Sequence, residues 1–456
     1  MGRTTKVLLV IGVIIVLSYP GIAWVAGMAV ESQLQRSEQQ ALDKLPYLTV
    51  VKREYHRGMY RSTVVTTYGL RGPALQAMKL GGAAVPSSAT ITIASNIQHG
   101  PFPGLRAVAL GIIDSTVVLP PALQQELAGA IGSKPILQFH TTLGLLGGVT
   151  ADMTSPAFSL RLADGPDLVW GGLTGTLSAS RNQAHWSARL NAPQLSVHGA
   201  QGGFELTGAE YSGSEDKALD GLYVGAGTFT IETLEGSGTR PGSDFSLQRI
   251  SLTSTSSANG EFFDYRIDAA ADAAKVAAVQ LSNVMYSESF EHIHGPSLLA
   301  FANALRAAQR QANGNQAQLQ AGMLAAFRQQ GADLVVRDPV IDIRQVSFTM
   351  PEGSFLLSAR ISAPGLGRND LQQWPAGILA LRTHARITAD LRVDNGLLQK
   401  FLAMSGSNPK MAAQLTSFEQ QGYLTAGADA VRTHLELSGG MITLNGHPFP
   451  PAAPVN

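Results

Sequence analysis

The chain has 456 residues, a formal net charge of zero and 14% charged residues, against roughly 25% in a typical soluble domain. Zero net charge excludes a global field that steers the protein to nucleic acid, and no basic stripe with interleaved aromatic residues is present. The chain has no cysteine, which excludes disulfides, thiolate metal sites, a cysteine nucleophile and a lipid-modified cysteine anchor.

The N-terminus carries a long uncharged run from Val7 to Val30, preceded by Arg3 and Lys6 and followed by Glu31. Its 24 residues would measure about 36 Å as a helix, enough to cross a hydrocarbon layer of about 30 Å. Residues 1–30 are therefore predicted to be a cytoplasmic tip and a signal anchor. The chain would contact the inner membrane through residues 7–30, with its C-terminal bulk in the periplasm. The alternative is a cleaved signal peptide, with small residues at 27–29 as the cleavage site.

Residues 31–46 predict a polar helix that leaves the membrane and ends at Pro46. Strand periodicity follows. Alternating apolar residues predict strands at Thr228–Glu235, Arg386–Asp394 and Val431–Leu437, and Ser438-Gly439-Gly440 predicts a hairpin turn into a final strand. Strands with one apolar face indicate antiparallel sheets.

Two helical regions interrupt the strands near the C-terminus. Residues 295–331 predict a helical hairpin broken at residues 313–315, and residues 409–421 predict a helix with Pro409 at its first position and Gly422 after its end. The predicted fold class is β-rich α+β. It has a large antiparallel sheet body, a helical hairpin and a C-terminal helix, preceded by one transmembrane helix. The periplasmic part divides into residues 47–260, which are β-rich, and residues 261–456, which mix strands and helices and are continuous with them.

Catalytic signatures are absent from the sequence: it has no nucleophile elbow, no phosphate-binding loop and no H-E-x-x-H motif. His292 and His294 are spaced to share a metal, but no third ligand is near them in sequence. Three aspartates at positions 333, 338 and 342 are interpreted as part of a solvated polar face. We therefore predict a non-enzymatic protein with no catalytic, cofactor-binding or metal-binding residues and no cofactor.

Four short motifs stand out from this background. They are YHRGMYRST from Tyr55, IQHGPFP from Ile97, FEQQGYLT from Phe418 and GGMITLNGHP from Gly439. Together with the N-terminal run, they resemble the YdgA-like family of bacterial envelope proteins, which has no known function. Met59 departs from the bulkier residue usual after the Arg-Gly pair. The resemblance implies an inner-membrane tether and a periplasmic body, and it brings no catalytic residue, cofactor or substrate.

The first two motifs supply the candidate site, which is either a structural turn or a contact for a partner or lipid headgroup. Its residues are Tyr55, Arg57, Gly58, Tyr60, Ser62, His99, Gly100 and Pro101. Gly58 predicts a bulge or turn between two strands, with the tyrosines anchoring the bend. The leading functional hypothesis is an anchored protein that binds an envelope lipid or a hydrophobic ligand. The alternatives are a scaffold that docks envelope proteins through strand edges and an unrecognised hydrolase.

Overall fold

A computed structural model describes residues 23–449, except for 37, 40–41, 43–44, 46–47, 71–89, 120, 162–164, 241, 313–314, 373–375 and 405–408. The chain forms two compact units. Unit 1 comprises residues 1–195, 214–216 and 309–319, and unit 2 comprises residues 196–213, 217–308 and 320–456.

Unit 1 is built on an antiparallel sheet preceded by a helix, α1, over residues 23–36. Its strands, the last of which continues past residue 195, are β1 Leu48–Arg57, β2 Arg61–Leu70, β3 Thr90–His99, β4 Gly111–Val118, β5 Gln138–Leu143, β6 Val149–Ser155, β7 Phe158–Arg161, β8 Asp167–Trp170, β9 Leu173–Ala179 and β10 His185–Gly199. The pairing order is β1–β2–β3–β4–β5–β6–β9–β10, and β7 and β8 form a hairpin in which β8 also pairs with β10. Helix α2, Pro121–Ile131, connects β4 to β5.

The core of unit 1 lies between α1 and this sheet. Val30 of α1 is buried against Val64, Ile97 and Ile113, which come from three neighbouring strands. These strand residues share a face because side chains directly opposite in an antiparallel pair point the same way. Helix α1 is therefore an integral part of unit 1.

Unit 2 is dominated by a second antiparallel series of long strands. They are β11 Gly202–Leu219, β12 Leu222–Gly238, β13 Phe245–Asn259, β14 Phe262–Val276, β15 Val279–His294, β16 Val340–Met350, β17 Gly353–Ser362, β18 Arg386–Asp394, β19 Thr425–Ala426, β20 Ala430–Ser438, β21 Met441–Leu444 and β22 His447–Phe449. Strands β12 to β18 pair in chain order, β20 follows β18, and β21 and β22 complete the series.

Helices connect the later strands. They are α3 Gly295–Ala312, α4 Gln316–Ala326, a π-helical turn at Phe327–Gly331, α5 Ala332–Val335, α6 Arg368–Gln372, α7 Ala376–His384, α8 Asn395–Met404 and α9 Pro409–Gln420. Helices α3 and α4 lie close together, since a Cβ atom on Gly322 would come within 2.8 Å of the Ala308 side chain. Leu397 of α8 is fully buried in a core with Met350 and Val393.

The β-rich prediction with antiparallel sheets, a helical hairpin and a late helix is confirmed. The hairpin turn at residues 438–440 is also confirmed, because Gly439 and Gly440 take φ values of 58° and 81°, which glycine adopts without strain. The predicted boundary at residue 260 falls in the turn between β13 and β14.

Most of the predicted membrane span, residues 7–22, lies outside the described residues, as do Pro46 and residues 313–314. Within the part of the chain that is described, none of the helices combines the length and the hydropathy of a membrane span.

Candidate functional site

The first motif forms the turn between β1 and β2. The Gly58 backbone N–H donates to the Arg61 carbonyl at 2.8 Å, and a Cβ atom on Gly58 would come within 2.5 Å of that same oxygen. Any residue larger than glycine would therefore force the turn open. The Tyr60 carbonyl accepts from the His99 backbone N–H at 3.1 Å, so the turn is tied to the end of β3, where the second motif begins.

His99 and Ser62, one from each motif, meet in the interior of unit 1. Ser62 Oγ lies 3.2 Å from His99 Nε2, and His99 Nδ1 lies 2.9 Å from the carbonyl oxygen of Ala23. A carbonyl only accepts, so Nδ1 carries the proton and donates to Ala23, and Nε2 accepts from the Ser62 hydroxyl. Burial lowers the pKa of His99, the hydrogen bond to Ala23 opposes the shift, and the nearby Arg57 charge lowers it further. The neutral imidazole thus joins the sheet to the first turn of α1.

The approach between α1 and the imidazole is close enough to require glycine. A Cβ atom on Gly27 would come within 2.9 Å of both Cε1 and Nδ1 of His99. Gly111, at the start of β4, similarly lies under Val30, where a Cβ atom would come within 2.9 Å of a Val30 methyl group. Small residues on both sides therefore let α1 pack directly on the sheet.

Arg57 provides the electrostatic part of this contact. Its guanidinium pairs with Glu31 of α1 and lies 5.5 Å from the ring centroid of Trp24. A cation over an indole face is attracted by the ring quadrupole. Tyr55, two residues earlier on the same strand face, packs against the core that contains Val30. Both side chains of the motif are directed at α1.

A second polar contact holds the distal part of the N-terminal region. Glu38 pairs with Arg53 of β1 and accepts from the Tyr68 hydroxyl of β2 at 2.6 Å. Burial, together with the hydrogen bond and charge of Glu38, raises the pKa of Tyr68 well above its usual range. The same carboxylate therefore joins two strands to the residues after α1.

The remaining predicted site residues shape the loop between β3 and β4. Gly100 has φ of 121°, where glycine is favoured, and its N–H donates to the Leu110 carbonyl at 3.1 Å. The Pro101 carbonyl accepts from the Ala109 N–H at 3.3 Å, closing the loop at its base. The structure thus brings together Tyr55, Arg57, Ser62 and His99 under α1, while Gly58, Tyr60, Gly100 and Pro101 build the adjoining turns.

These residues can form a docking site but cannot act on a substrate in this arrangement. A hydroxyl that donates to a histidine is the beginning of a nucleophile–base pair. Ser62 and His99, however, are only 2% and 1% exposed, and α1 covers them. We define the docking site as Tyr55, Arg57, Ser62 and His99 with their α1 partners Ala23, Trp24, Gly27 and Glu31. None of these four partners was predicted as a site residue from the sequence, where Gly27 entered only through the alternative of a cleaved signal peptide.

The two histidines of the predicted metal-spaced pair have structural partners. His292 stacks on Phe262 at a centroid distance of 3.9 Å, while His294 is buried and contacts Ser297 Oγ at 2.7 Å. Across the described residues, no group of three or more His, Asp or Glu side chains is placed to hold a metal ion.

The three aspartates at positions 333, 338 and 342 each contact a different partner. Asp333 pairs with Arg368 and Asp338 accepts from the Gly365 N–H. Asp342 joins a network with Glu291, Arg344 and Arg360 on the polar sheet face.

The two C-terminal motifs pair with each other in unit 2. The Tyr423 hydroxyl donates to the Pro448 carbonyl at 2.9 Å, and Asn445 Nδ2 donates to the Tyr423 carbonyl at 3.1 Å. The aromatic rings of Phe418, Tyr423 and Phe449 pack edge to face. These motifs therefore close the end of the chain onto β20–β22.

The sheet of unit 2 has one apolar face that crosses seven strands. Directly opposite residues on β12 to β18 form what we call the apolar row: Phe229, Leu252, Ala269, Tyr286, Val346, Leu357 and Leu391. Leu252 and Tyr286 are 42% and 37% exposed, and Tyr265 on the same face is 39% exposed. Apolar side chains in the middle of this face are therefore open to solvent.

Unit 1 also contains a cavity of about 320 Å³ between the end of β4 and α2. Leu127 and Ile131 of α2, Val117 of β4 and Lys134 are among its lining residues. It lies at the opposite end of β4 from His99, because His99 pairs with Gly111 at the start of that strand. The cavity is therefore separate from the docking site.

Comparison with known proteins yields one family. A family model described as "Bacterial protein of unknown function (DUF945)" matches residues 4–452, which is nearly the whole chain. No curated protein and no solved structure matches the chain.

Proposed function

The chain belongs to the bacterial DUF945 family of unknown function, and from that premise we propose a membrane-anchored envelope protein that binds a lipid or another hydrophobic ligand. The observation that carries the ligand proposal is the apolar row of unit 2. A sheet face that pairs apolar residues across seven strands and leaves Leu252, Tyr265 and Tyr286 more than a third exposed is suited to an acyl chain.

The two faces of this sheet differ in chemistry, which supports the proposal. The opposite face carries the ion pairs of Glu291 with Arg344 and Arg360, at 3.3 and 3.0 Å, beside the buried hydroxyl of Ser289. Its charges are already paired within the protein. On the apolar face the Tyr286 hydroxyl donates to Glu288 at 2.5 Å, while Leu252 and the rings of Tyr265 and Tyr286 expose apolar surface. Burial of a hydrophobic ligand there would remove that surface from water.

The anchoring proposal rests on the N-terminal run and on the docking site. Residues 7–30 are uncharged and follow Arg3 and Lys6, a pattern that favours an N-terminus in the cytoplasm and a body outside the inner membrane. The last residues of that run, including Trp24 and Gly27, are docked on unit 1 through Arg57 and His99. The part of the run left to cross the bilayer is then residues 7–22, about 24 Å as a helix, so the hydrocarbon layer would thin locally around the anchor. An anchor held in this way would orient the body relative to the bilayer. The resemblance of the sequence motifs to the YdgA-like envelope family supports this proposal.

Native mass spectrometry with lipid extraction on the detergent-solubilised full chain tests ligand binding. We expect phospholipid at fixed stoichiometry in the wild-type protein and its loss in Leu252→Glu. Leu252 is already 42% exposed, so a carboxylate there is compatible with folding. The control is Ser251→Glu, which places the same charge on the opposite face of the same strand.

Lipid-free wild-type protein would overturn ligand binding and would direct the search to envelope protein partners, as in the scaffold hypothesis. Equal loss of lipid in both variants at an unchanged melting temperature would show that the apolar row is not the site. Anchoring is tested separately, by the retention of the chain in carbonate-washed membranes.

A further inference from the structure

Four turns of unit 1 lie at one end of its sheet. The register aligns Ser62 with Ile97, and it aligns Gly111 with Leu143 and Leu143 with Val149. Continuing across the sheet, Val149 aligns with Ala179 and Ala179 with Trp186. The turns β1–β2, β3–β4, β5–β6 and β9–β10, which are residues 58–60, 100–110, 144–148 and 180–184, therefore all leave the sheet at this end.

These turns present large apolar side chains to solvent. Leu105 is 90% exposed, Leu146 is 81%, Val108 is 64% and Met59 is 52%. They come from three of the four turns, with Leu105 and Val108 on the same one, and none belongs to the core between α1 and the sheet. Singly exposed apolar residues are ordinary, but their repetition on adjacent turns at one end of a sheet marks an interaction surface.

The turns themselves carry only positive charge. Arg106 and Arg181 are exposed within them and Arg61 directly follows the first, and the sequences of the four turns contain no acidic residue. The acidic side chains beside the turns have partners of their own: Asp216 pairs with His185, and Glu31 pairs with Arg57. An apolar surface with interspersed arginines suits the interface of a bilayer that contains anionic phospholipid, where cations bind headgroups and apolar side chains enter the acyl boundary.

The N-terminal run enters unit 1 at the same end. The Ala23 carbonyl is bound by His99, the last residue of β3, and Trp24 lies over Arg57, the last residue of β1. Trp24 and Val25 are 43% and 59% exposed. The described part of the chain therefore begins, at Ala23, beside the four turns, so under the proposed anchoring this is the surface that meets the membrane.

We propose that this end of unit 1, with Met59, Leu105, Val108 and Leu146 at its tips, lies on the phospholipid surface around the anchor. The inference rests on the proposed anchoring and adds a second, peripheral contact to it. A single span leaves a body free to swing on its connection. The docking site fixes the helix to the body, and the four turns then hold that body against the bilayer.

The cysteine-free chain allows a direct test with single cysteines. The full chain carrying Leu105→Cys or Leu146→Cys is labelled with bimane and reconstituted into vesicles of phosphatidylethanolamine and phosphatidylglycerol, with and without brominated acyl chains. The matched control is Ser133→Cys, an exposed position after α2 at the other end of β4. We expect bromine quenching at positions 105 and 146 and none at 133.

Each outcome decides the proposal and separates it from anchoring. Quenching equal to that at position 133, in protein that resists a carbonate wash, would refute the surface contact and leave the anchor intact. Quenching at 105 and 146 in protein that the wash removes would support the contact and refute the anchor. No quenching at 105 and 146, in protein that the wash removes, would refute both the surface contact and the anchor. As a second measurement, the double variant Leu105→Asp with Leu146→Asp should let the body move relative to the bilayer, while the chain stays in the membrane through its anchor.

Discussion

The imidazole nitrogen Nδ1 of His99 lies 2.9 Å from the carbonyl oxygen of Ala23, 76 residues earlier in the chain. This contact joins the strand that carries the second sequence motif to the last part of the uncharged N-terminal run. It explains why histidine and glycine occur together in IQHGPFP: the histidine holds α1, and Gly100 turns the chain away from it at a φ of 121°. The first two motifs are thus one helix-docking device.

Gly27→Ala should undock α1. Alanine normally stabilises a helix by about 1 kcal/mol relative to glycine, but here its methyl group would meet the His99 ring at 2.9 Å. We expect net destabilisation by about 1–3 kcal/mol, typical of overpacking a filled interior. Hydrogen exchange of residues 23–36 measures it. Gly129→Ala is the control, since Gly129 in α2 has nothing within 4 Å of its Cβ position, and equal protection in the two variants would contradict the close approach.

The docking of α1 should weaken in acid. The folded pKa of His99 lies below its ordinary value of 6.5 because of burial, and Arg57 contributes in the same direction. The unfolded or undocked state therefore binds the proton first, so stability is complete above about pH 6.5 and is lost as the pH falls through that value towards and through the folded pKa. Hydrogen exchange of residues 23–36, corrected for intrinsic rates, should show falling protection over this range. His99→Gln, which has no titratable ring, should remove the pH dependence, and an unchanged slope would assign it to another group.

The strands were predictable because their signal is local. Arg386–Asp394 alternates apolar and polar residues, and the structure places that exact range in β18. The turn at Gly439 was predictable for the same reason, since two adjacent glycines favour the φ values that a two-residue hairpin requires.

Only the strand half of the docking site was predictable, because the residues of α1 that complete it form no recognisable sequence motif. The partner of His99 is a backbone carbonyl, which every residue has, so Ala23 could not be identified from its side chain. Gly27 is small because the His99 ring, on another element, lies against it. In the sequence its small size fitted only the alternative of a cleaved signal peptide. Glu31 has the charge that Arg57 needs, yet one carboxylate after an apolar run also fits a helix entering water.

Arg57→Gln should weaken the docking site more than an ordinary surface ion pair would. The Arg57 and Glu31 side chains are 29% and 18% exposed, and Arg57 also contacts Trp24. We expect a loss of about 1–2 kcal/mol from the partly shielded pair and the cation–π contact together. Arg161→Gln provides the comparison: Arg161 pairs with Asp167 at 3.0 Å but is 85% exposed, so its loss should stay within about 0.5 kcal/mol. Similar urea midpoints for the two variants would show that Arg57 contributes no more than a surface charge.

Leu397→Ala should destabilise unit 2. Leu397 is fully buried in α8 against Met350 and Val393, so the substitution removes apolar contacts and leaves a cavity, with an expected cost of about 2–5 kcal/mol. Met404→Ala at the end of the same helix is the control, because Met404 is 57% exposed. Thermal unfolding followed by circular dichroism measures both, and a small effect of Leu397→Ala would mean that α8 is not anchored at this core.

Two tyrosine-to-phenylalanine substitutions around α1 should act in opposite directions. The Tyr55 hydroxyl is buried and has no hydrogen-bond partner among the described residues, so Tyr55→Phe removes a desolvated group and should leave stability unchanged or raise it by up to about 1 kcal/mol. The Tyr68 hydroxyl donates to Glu38 at 2.6 Å, so Tyr68→Phe breaks a bond to a charged acceptor and should cost about 1.5–3 kcal/mol. The two changes delete the same atom from neighbouring strands that pack on the same N-terminal region, so their difference in urea midpoint isolates the hydrogen bond. A loss in Tyr55→Phe as large as that in Tyr68→Phe would show that the Tyr55 hydroxyl has a partner in solution, and the packing of α1 over the first motif would then need a polar contact there.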